Sequence, residues 1–261
     1  MRILLNTMPK SGSVYLVNTL TNILKNWNFT YLGNEYALID QINLNKARTF
    51  FNSDAVLSSN HLAPSSENIN ILRHFGATPV IHLRDPRSAL LSWVHHLDRV
   101  TKEDENSELC LYTRIRVPPG YFKTSLSEKI DFHIEQYLPD LVSWTKKWLE
   151  IHDSSEISSL ITYWHELKYH EKHTLRRILH FNGINYDEND LNLSSPEKSI
   201  EMSHYRKGED SEWIDVFTKS QQIKCEKLIP VDIINRVNSP GSKNIKKKRG
   251  TIRRLIERIS R

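Results

Sequence analysis

Apolar and polar positions along the chain alternate between two periods. Residues 2–7, read R-I-L-L-N-T, form a short apolar run of strand type. After Met8-Pro9-Lys10-Ser11-Gly12-Ser13, apolar residues recur at helical spacing: Leu16, Val17, Leu20, Ile23, Leu24 and Trp27. The same pattern predicts strands over 54–58, 79–83 and 159–164. Helices are predicted over 66–75, after Pro86, over 127–151 with a break at Pro139, and over 166–181. Two short ones follow, over 211–217 and 220–228. Strands alternating with helices predict an α/β chain whose parallel sheet is covered by helices on both faces.

Periodicity is lost over 98–127 and again over 187–210. The first stretch is too long for a simple connection and reads as a lid or binding loop. No internal repeat is present, so the expectation is one domain over 1–242 and a basic tail over 243–261.

Composition narrows the functional classes. The chain has 261 residues, of which only eight are glycines, at 12, 33, 76, 120, 183, 208, 241 and 250. No two lie closer than nine positions, which excludes both the G-x-G-x-x-G dinucleotide fingerprint and the Walker A loop. The net charge of +5 is uneven: residues 243–261 carry nine basic residues against Glu257 alone. The remaining body is therefore at −3, and a specific nucleic-acid partner is not expected. In the tail, Ile252, Leu255, Ile256 and Ile259 share one helical face. This suits a peripheral membrane or polyanion contact, or equally a helix folded back on the acidic body. Cys110 and Cys225 have no metal-ligand spacing and read as free thiols. With no signal-peptide pattern and no long apolar run, the expected location is cytoplasmic, and no metal is expected.

Three stretches carry candidate chemistry. The loop 8–13 joins a strand to a helix N-terminus, where unpaired N–H groups favour a phosphate or sulfate. Gly12 lets a ligand approach, Ser11 and Ser13 bring hydroxyls, and Lys10 brings charge; the alternative is a helix capped by Ser11 or Ser13. The strand over 79–83 runs into Arg84-Asp85-Pro86-Arg87, with Ser92 eight positions after Arg84. Strand carboxyl ends are the ligand rim of a parallel sheet, so Arg84 and Ser92 are candidates to share a phosphate. The alternative is a surface pair between Asp85 and Arg87. A third basic cluster is His204-Tyr205-Arg206-Lys207-Gly208, ahead of Trp213 and Phe217.

Taken together, P-K-S-G-S-V-Y, R-D-P-R-S-A-L-L-S and R-K-G-E-D-S-E-W-I-D-V-F-T resemble, in order and spacing, the motifs of PAPS-dependent sulfotransferases. The resemblance spans about residues 2–230, is closest to the cytosolic and bacterial branch, and implies a P-loop-like fold. It further implies PAPS (3′-phosphoadenosine 5′-phosphosulfate) as co-substrate and a hydroxylated acceptor, a glycan or small metabolite. Lys10, Ser11, Gly12, Ser13 and Val14 would hold the 5′-phosphosulfate, with Lys10 also beside the leaving oxygen. Arg84, Ser92, Arg206, Lys207 and Gly208 would bind the 3′-phosphate. Trp164 stands where the family often has a tyrosine near the adenine.

Transfer to an alcohol needs a base. His61, in Ser59-Asn60-His61-Leu62-Ala63-Pro64, matches the family's catalytic histidine, with Ser59 in place of a usual lysine. His82, in a strand, reads as a packed residue, while His95 and His96 suit an acceptor pocket. The alternatives are an inactive PAPS-binding protein of the same fold and a P-loop kinase of nucleotides or small molecules. The kinase would need a Lys directly after the second loop glycine and an acidic magnesium ligand after a strand. Neither pattern occurs.

Overall fold

The computed structural model describes residues 1–33, 40–101, 104, 116–186 and 209–238. The chain opens with β1 (Arg2–Thr7), α1 (Ser13–Ile23), β2 (Asn28–Thr30) and α2 (Leu44–Asn52). Next come β3 (Val56–Asn60), α3 (Ser66–His74), β4 (Val80–Leu83) and α4 (Pro86–Thr101). A 3-10 turn (Tyr121–Lys123) precedes α5 (Leu126–Gln136), α6 (Leu138–Asp153), β5 (Leu160–Tyr163), α7 (Trp164–Tyr169) and α8 (Glu171–Phe181). The last described elements are α9 (Glu212–Val216), α10 (Lys219–Leu228) and α11 (Val231–Val237). The strands form one five-stranded sheet, every pair parallel, in the order β2-β3-β1-β4-β5. No helix among the described residues is long and apolar enough to cross a membrane.

Strand alternation sends successive side chains to opposite faces. Ile3, Leu5, Leu57 and Val80 pack with Leu16 and Leu20 of α1, Leu167 of α7 and Leu175, Ile178 and Leu179 of α8. Leu4, Val56, Ile81, Leu83 and Ile161 take the other face, against residues of α3 to α6 and α9 to α11. Each large side chain so buried contributes roughly 1.5–3 kcal/mol relative to exposure. Helices cover both faces, as the alternation of periods predicts.

Several boundaries differ from the sequence reading, each for a local reason. β3 begins at Val56 rather than 54 because Ala55 turns the chain at φ 53°. Asp54 stays outside the strand, exposed, and takes the N-terminal ammonium at 2.8 Å. β2 went unpredicted: it is three residues long at the sheet edge, with Asn28 and Phe29 exposed, too short to show a period. α2 also went unpredicted, since it buries only Ala47 and Phe50; its signal is Asn43, whose side chain accepts from Asn45 N and Lys46 N. α11 had no counterpart either. The predicted helix over 166–181 is broken at His170 into α7 and α8. The break expected at Pro139 falls at Tyr137, which leaves Pro139 in the first turn of α6, where no N–H is needed.

Asp85 and Arg87 are not a surface pair. They are 4% and 1% exposed. Asp85 accepts from Arg87 N and Nε, both at 2.9 Å, and from Asn238 Nδ2 at 3.0 Å. The Arg87 guanidinium lies 3.9 Å from the Trp213 ring centre. One buried ion pair thereby fastens α9 and α11 to the start of α4. Removing one partner of such a pair leaves a charge stranded in the core. Asp85→Ala is expected to lower unfolding free energy by about 3–5 kcal/mol, and the double variant Asp85→Leu/Arg87→Met by clearly less. Denaturant titration followed by tryptophan fluorescence reads both.

Candidate active site

The carboxyl ends of β1, β3, β4 and β5 meet on one rim, and the rim row is polar. Thr7 pairs in register with His82, and His82 with Thr162. His82 is fully buried and its Nε2 lies 3.1 Å from the Ser11 carbonyl. A carbonyl only accepts, so Nε2 carries the proton, and Nδ1 accepts from the Thr162 hydroxyl at 2.9 Å. Burial holds this imidazole's pKa down to about 4, so it stays neutral. The sequence reading of His82 as a packed, bonded residue agrees, and the geometry adds that its bond holds the loop after β1.

That loop has no side-chain cap. Gly12 is the N-cap of α1 at φ 94°, and neither Ser11 nor Ser13 accepts a capping bond. The Ser11 hydroxyl is buried without a hydrogen-bond partner. Ser13 and Val14 lie half-buried in the first turn of α1. The Trp164 ring packs so closely on Gly12 that an added Cβ would sit 2.3 Å from Cζ3. Trp164 thus belongs to the α1-side core and to the loop at once.

Lys10 takes a left-handed φ of 63°, turning the chain just ahead of Gly12. Its carbonyl accepts from Arg84 at 3.0 Å. Burial chiefly, then the charges of Arg99 and Arg84, bring the Lys10 ammonium down to about 7. The Arg84 guanidinium also stands 5.1 Å from the Trp164 ring centre and bonds the Glu209 carbonyl at 2.8 Å. Ser88, one turn into α4, donates to the Asp210 carbonyl at 2.7 Å. Ser92 lies further along α4, half-buried. Arg206, Lys207 and Gly208 fall outside the described residues, as does the basic tail.

His61 follows β3 directly. Its Nδ1 lies 2.6 Å from the Thr7 carbonyl and 3.2 Å from the Thr7 hydroxyl. Nδ1 therefore holds the proton, and Nε2 keeps its lone pair. Burial and the Lys10 charge lower its pKa, against the opposing effect of the Thr7 bond. The imidazole is neutral at neutral pH, the state a base requires.

Residues that the sequence reading passed over hold His61 in place. Leu62 N donates to Asn6 Oδ1 at 2.8 Å. The Leu62 carbonyl accepts from Trp144 Nε1 at 2.7 Å and Trp148 Nε1 at 3.1 Å. Asn60 Oδ1 accepts from Leu32 N at 2.8 Å. Asn6 was visible as a polar residue inside a strand, whereas Asn60 lay past the predicted strand end at 58, in a strand that in fact runs to Asn60; Trp144 and Trp148 fall in the predicted helix over 127–151. Ser59 is buried in β3 opposite Leu5 and brings no charge. Cys225 is buried, its thiol pushed up to about 12 and unreactive. Among the described residues, no three His, Cys, Asp or Glu side chains gather as metal ligands.

No protein-family model and no curated protein matches the sequence. Solved structures do match. The mouse sulfotransferase SULT7A1, complexed with PAP, aligns at a TM-score of 0.60 and 15% identity, over 87% of this chain and 82% of that one. Retinol dehydratase in complex with retinol and PAP aligns at 0.56 and 14%, over 92% and 82%. Its complex with androsterone and the inactive cofactor PAP aligns at 0.52 and 15%, over the same shares. The resemblance seen in the motifs thus extends to the architecture: this chain has the fold of the sulfotransferases.

Proposed function

We propose that the protein transfers the sulfuryl group of PAPS to the hydroxyl of an acceptor, a glycan or a small metabolite, with His61 as base. The observation that carries this reading is the bond from His61 Nδ1 to the Thr7 carbonyl, which reserves Nε2 for a proton beside the loop of Lys10. The nucleotide fits the residues present. An uncapped helix N-terminus and the partnerless buried Ser11 hydroxyl suit an anion there. Lys10, Ser11, Gly12, Ser13 and Val14 take the 5′ end. Arg84, Ser92, Arg206, Lys207 and Gly208 take the 3′-phosphate, and the Trp164 ring supports the adenine.

PAPS supplies an activated sulfuryl group, so no covalent enzyme intermediate is needed. The acceptor oxygen bonds to sulfur as its proton passes to His61 Nε2. The bond from sulfur to the bridging oxygen breaks, and its electron pair remains on the phosphate of the departing bisphosphate. Lys10 neutralises that developing charge. A kinase reading needs an acidic magnesium ligand after a strand; Asp85, which follows Arg84 just past the end of β4, is held by Arg87 and Asn238.

His61→Ala is expected to lower turnover by about 10²–10⁴-fold while PAP affinity changes only a few-fold. Turnover with PAPS and a panel of hydroxylated acceptors, followed by product mass, together with calorimetry on PAP, measures both. Full activity would move the base elsewhere.

Lys10 gives a pH signature. In the free protein its proton leaves near pH 7, whereas an anion at the loop holds that proton on. Binding therefore takes up a proton above pH 7, and PAP affinity falls by up to about tenfold per pH unit. Calorimetry at a pH one unit above the lysine pKa, in two buffers of different ionisation enthalpy, should show uptake approaching one proton. Lys10→Met should abolish it. No uptake in the unaltered protein would place Lys10 away from the anion.

A further inference from the structure

The proposed site makes no use of the nine cations in residues 243–261. That segment lies outside the described residues, but the place where the chain leaves the body does not. α11 ends at Val237, with Asn238 as its cap. The Val237 carbonyl accepts from His165 Nδ1 at 3.1 Å, and Asn238 Nδ2 donates to Asp85 at 3.0 Å. His165 stands two residues past the end of β5, and Asp85 two past the end of β4. The chain therefore departs from the same sheet rim that carries Lys10, Arg84 and His61. Lys243 follows Asn238 by five residues, a span of at most about 18 Å.

One resting place for a segment of charge +8 is the body itself, which carries −3. The acids beside the exit are engaged, however. Asp85 is held by Arg87 and Asn238, Asp153 by Arg236 at 2.9 Å, and Asp210 lies 4.0 Å from Lys168. Asp232, in the first turn of α11, is exposed, one acid against nine cations. The rim itself presents the basic side chains Lys10 and Arg84, so folding the segment back upon it sets like charges together.

The pattern within the segment points to a different partner. Lys246-Lys247-Lys248-Arg249 is an unbroken cationic run. Beyond Gly250, helical spacing gathers Ile252, Leu255, Ile256 and Ile259 within an arc of about 100° and leaves Arg253, Arg254, Arg258 and Arg261 outside it. A soluble polyanion uses the charges and leaves the four aliphatic side chains in water. An anionic bilayer answers both, with phosphates for the cations and acyl chains for the apolar stripe.

We propose that residues 243–261 bind an anionic lipid bilayer, with the aliphatic stripe among the acyl chains and the arginines among the headgroups. Because the chain leaves from the rim, the rim faces the bilayer. The test uses the full chain with vesicles of phosphatidylcholine, alone or mixed two to one with phosphatidylglycerol, and measures the bound fraction by co-sedimentation. Partition is expected to be about tenfold or more higher on the anionic vesicles. It should fall by about tenfold or more in Ile252→Ser/Ile256→Ser and, separately, in Arg253→Gln/Arg254→Gln/Arg258→Gln. The unfolding temperature of both variants should be unchanged. Orientation is read by energy transfer to a dye-bearing lipid, in a Cys110→Ser background. One label sits at Glu209→Cys, exposed at the rim, and the other at Asp54→Cys, exposed at the opposite end of the sheet. Transfer should be stronger from position 209.

Binding to dextran sulfate without binding to vesicles assigns the segment to a soluble polyanion and overturns the proposal. Vesicle binding that survives loss of the two isoleucines is adhesion by charge alone and overturns it too. So does a lowered unfolding temperature in that variant with no change on vesicles, the mark of a segment folded back on the body. Equal or weaker transfer from position 209 overturns the facing of the rim. None of these outcomes depends on sulfuryl transfer, which calorimetry on PAP decides separately.

Discussion

The loop after β1 has no side-chain cap on its N–H groups, so its conformation depends on what holds its carbonyls. This constraint organises the rim. The Ser11 carbonyl is fixed by the His82 imidazole and the Lys10 carbonyl by the Arg84 guanidinium. The Met8 carbonyl takes Ser11 N, and Gly12 O takes Leu16 N as the first bond of α1. Apart from the turn bond inside the loop, from Ser11 N to the Met8 carbonyl, these anchors come from beside β4 and from the helix behind. His82 serves because it is buried, and burial keeps it neutral, so that one nitrogen donates while the other accepts from Thr162.

The same logic of opposed roles separates the two rim histidines. His82 spends both nitrogens on the scaffold. His61 spends one, on the Thr7 carbonyl, and the other carries the lone pair. Register explains the difference: His82 sits inside β4, flanked by Thr7 and Thr162, whereas His61 stands one residue past the end of β3.

The sequence made the sheet and the loop legible because both leave local marks. Apolar strands announced β1, β4 and β5, and the spacing of Lys10, Arg84 and Ser92 announced the rim. What stayed hidden acts across long stretches of chain. Asn6 meets Leu62, and Trp144 and Trp148 reach the same Leu62 carbonyl from α6; no window of sequence contains these pairings. Asp85 and Arg87 misled for a related reason. Two charges in a turn resemble a solvated pair until Trp213, more than a hundred residues on, covers them.

The two tryptophans on one carbonyl have a consequence for how this protein fails. Leu62 is fully buried, and its neighbour His61 is tied into the core through Trp144 and Trp148, which are 2% and 0% exposed. His61 therefore has no soft hinge by which to drift while the body remains intact. Gradual thermal loosening will not erode its alignment in advance. Under heating, displacement of His61 and collapse of the tryptophan core are one event, and the amide of Leu62 exchanges its hydrogen only when the whole molecule opens.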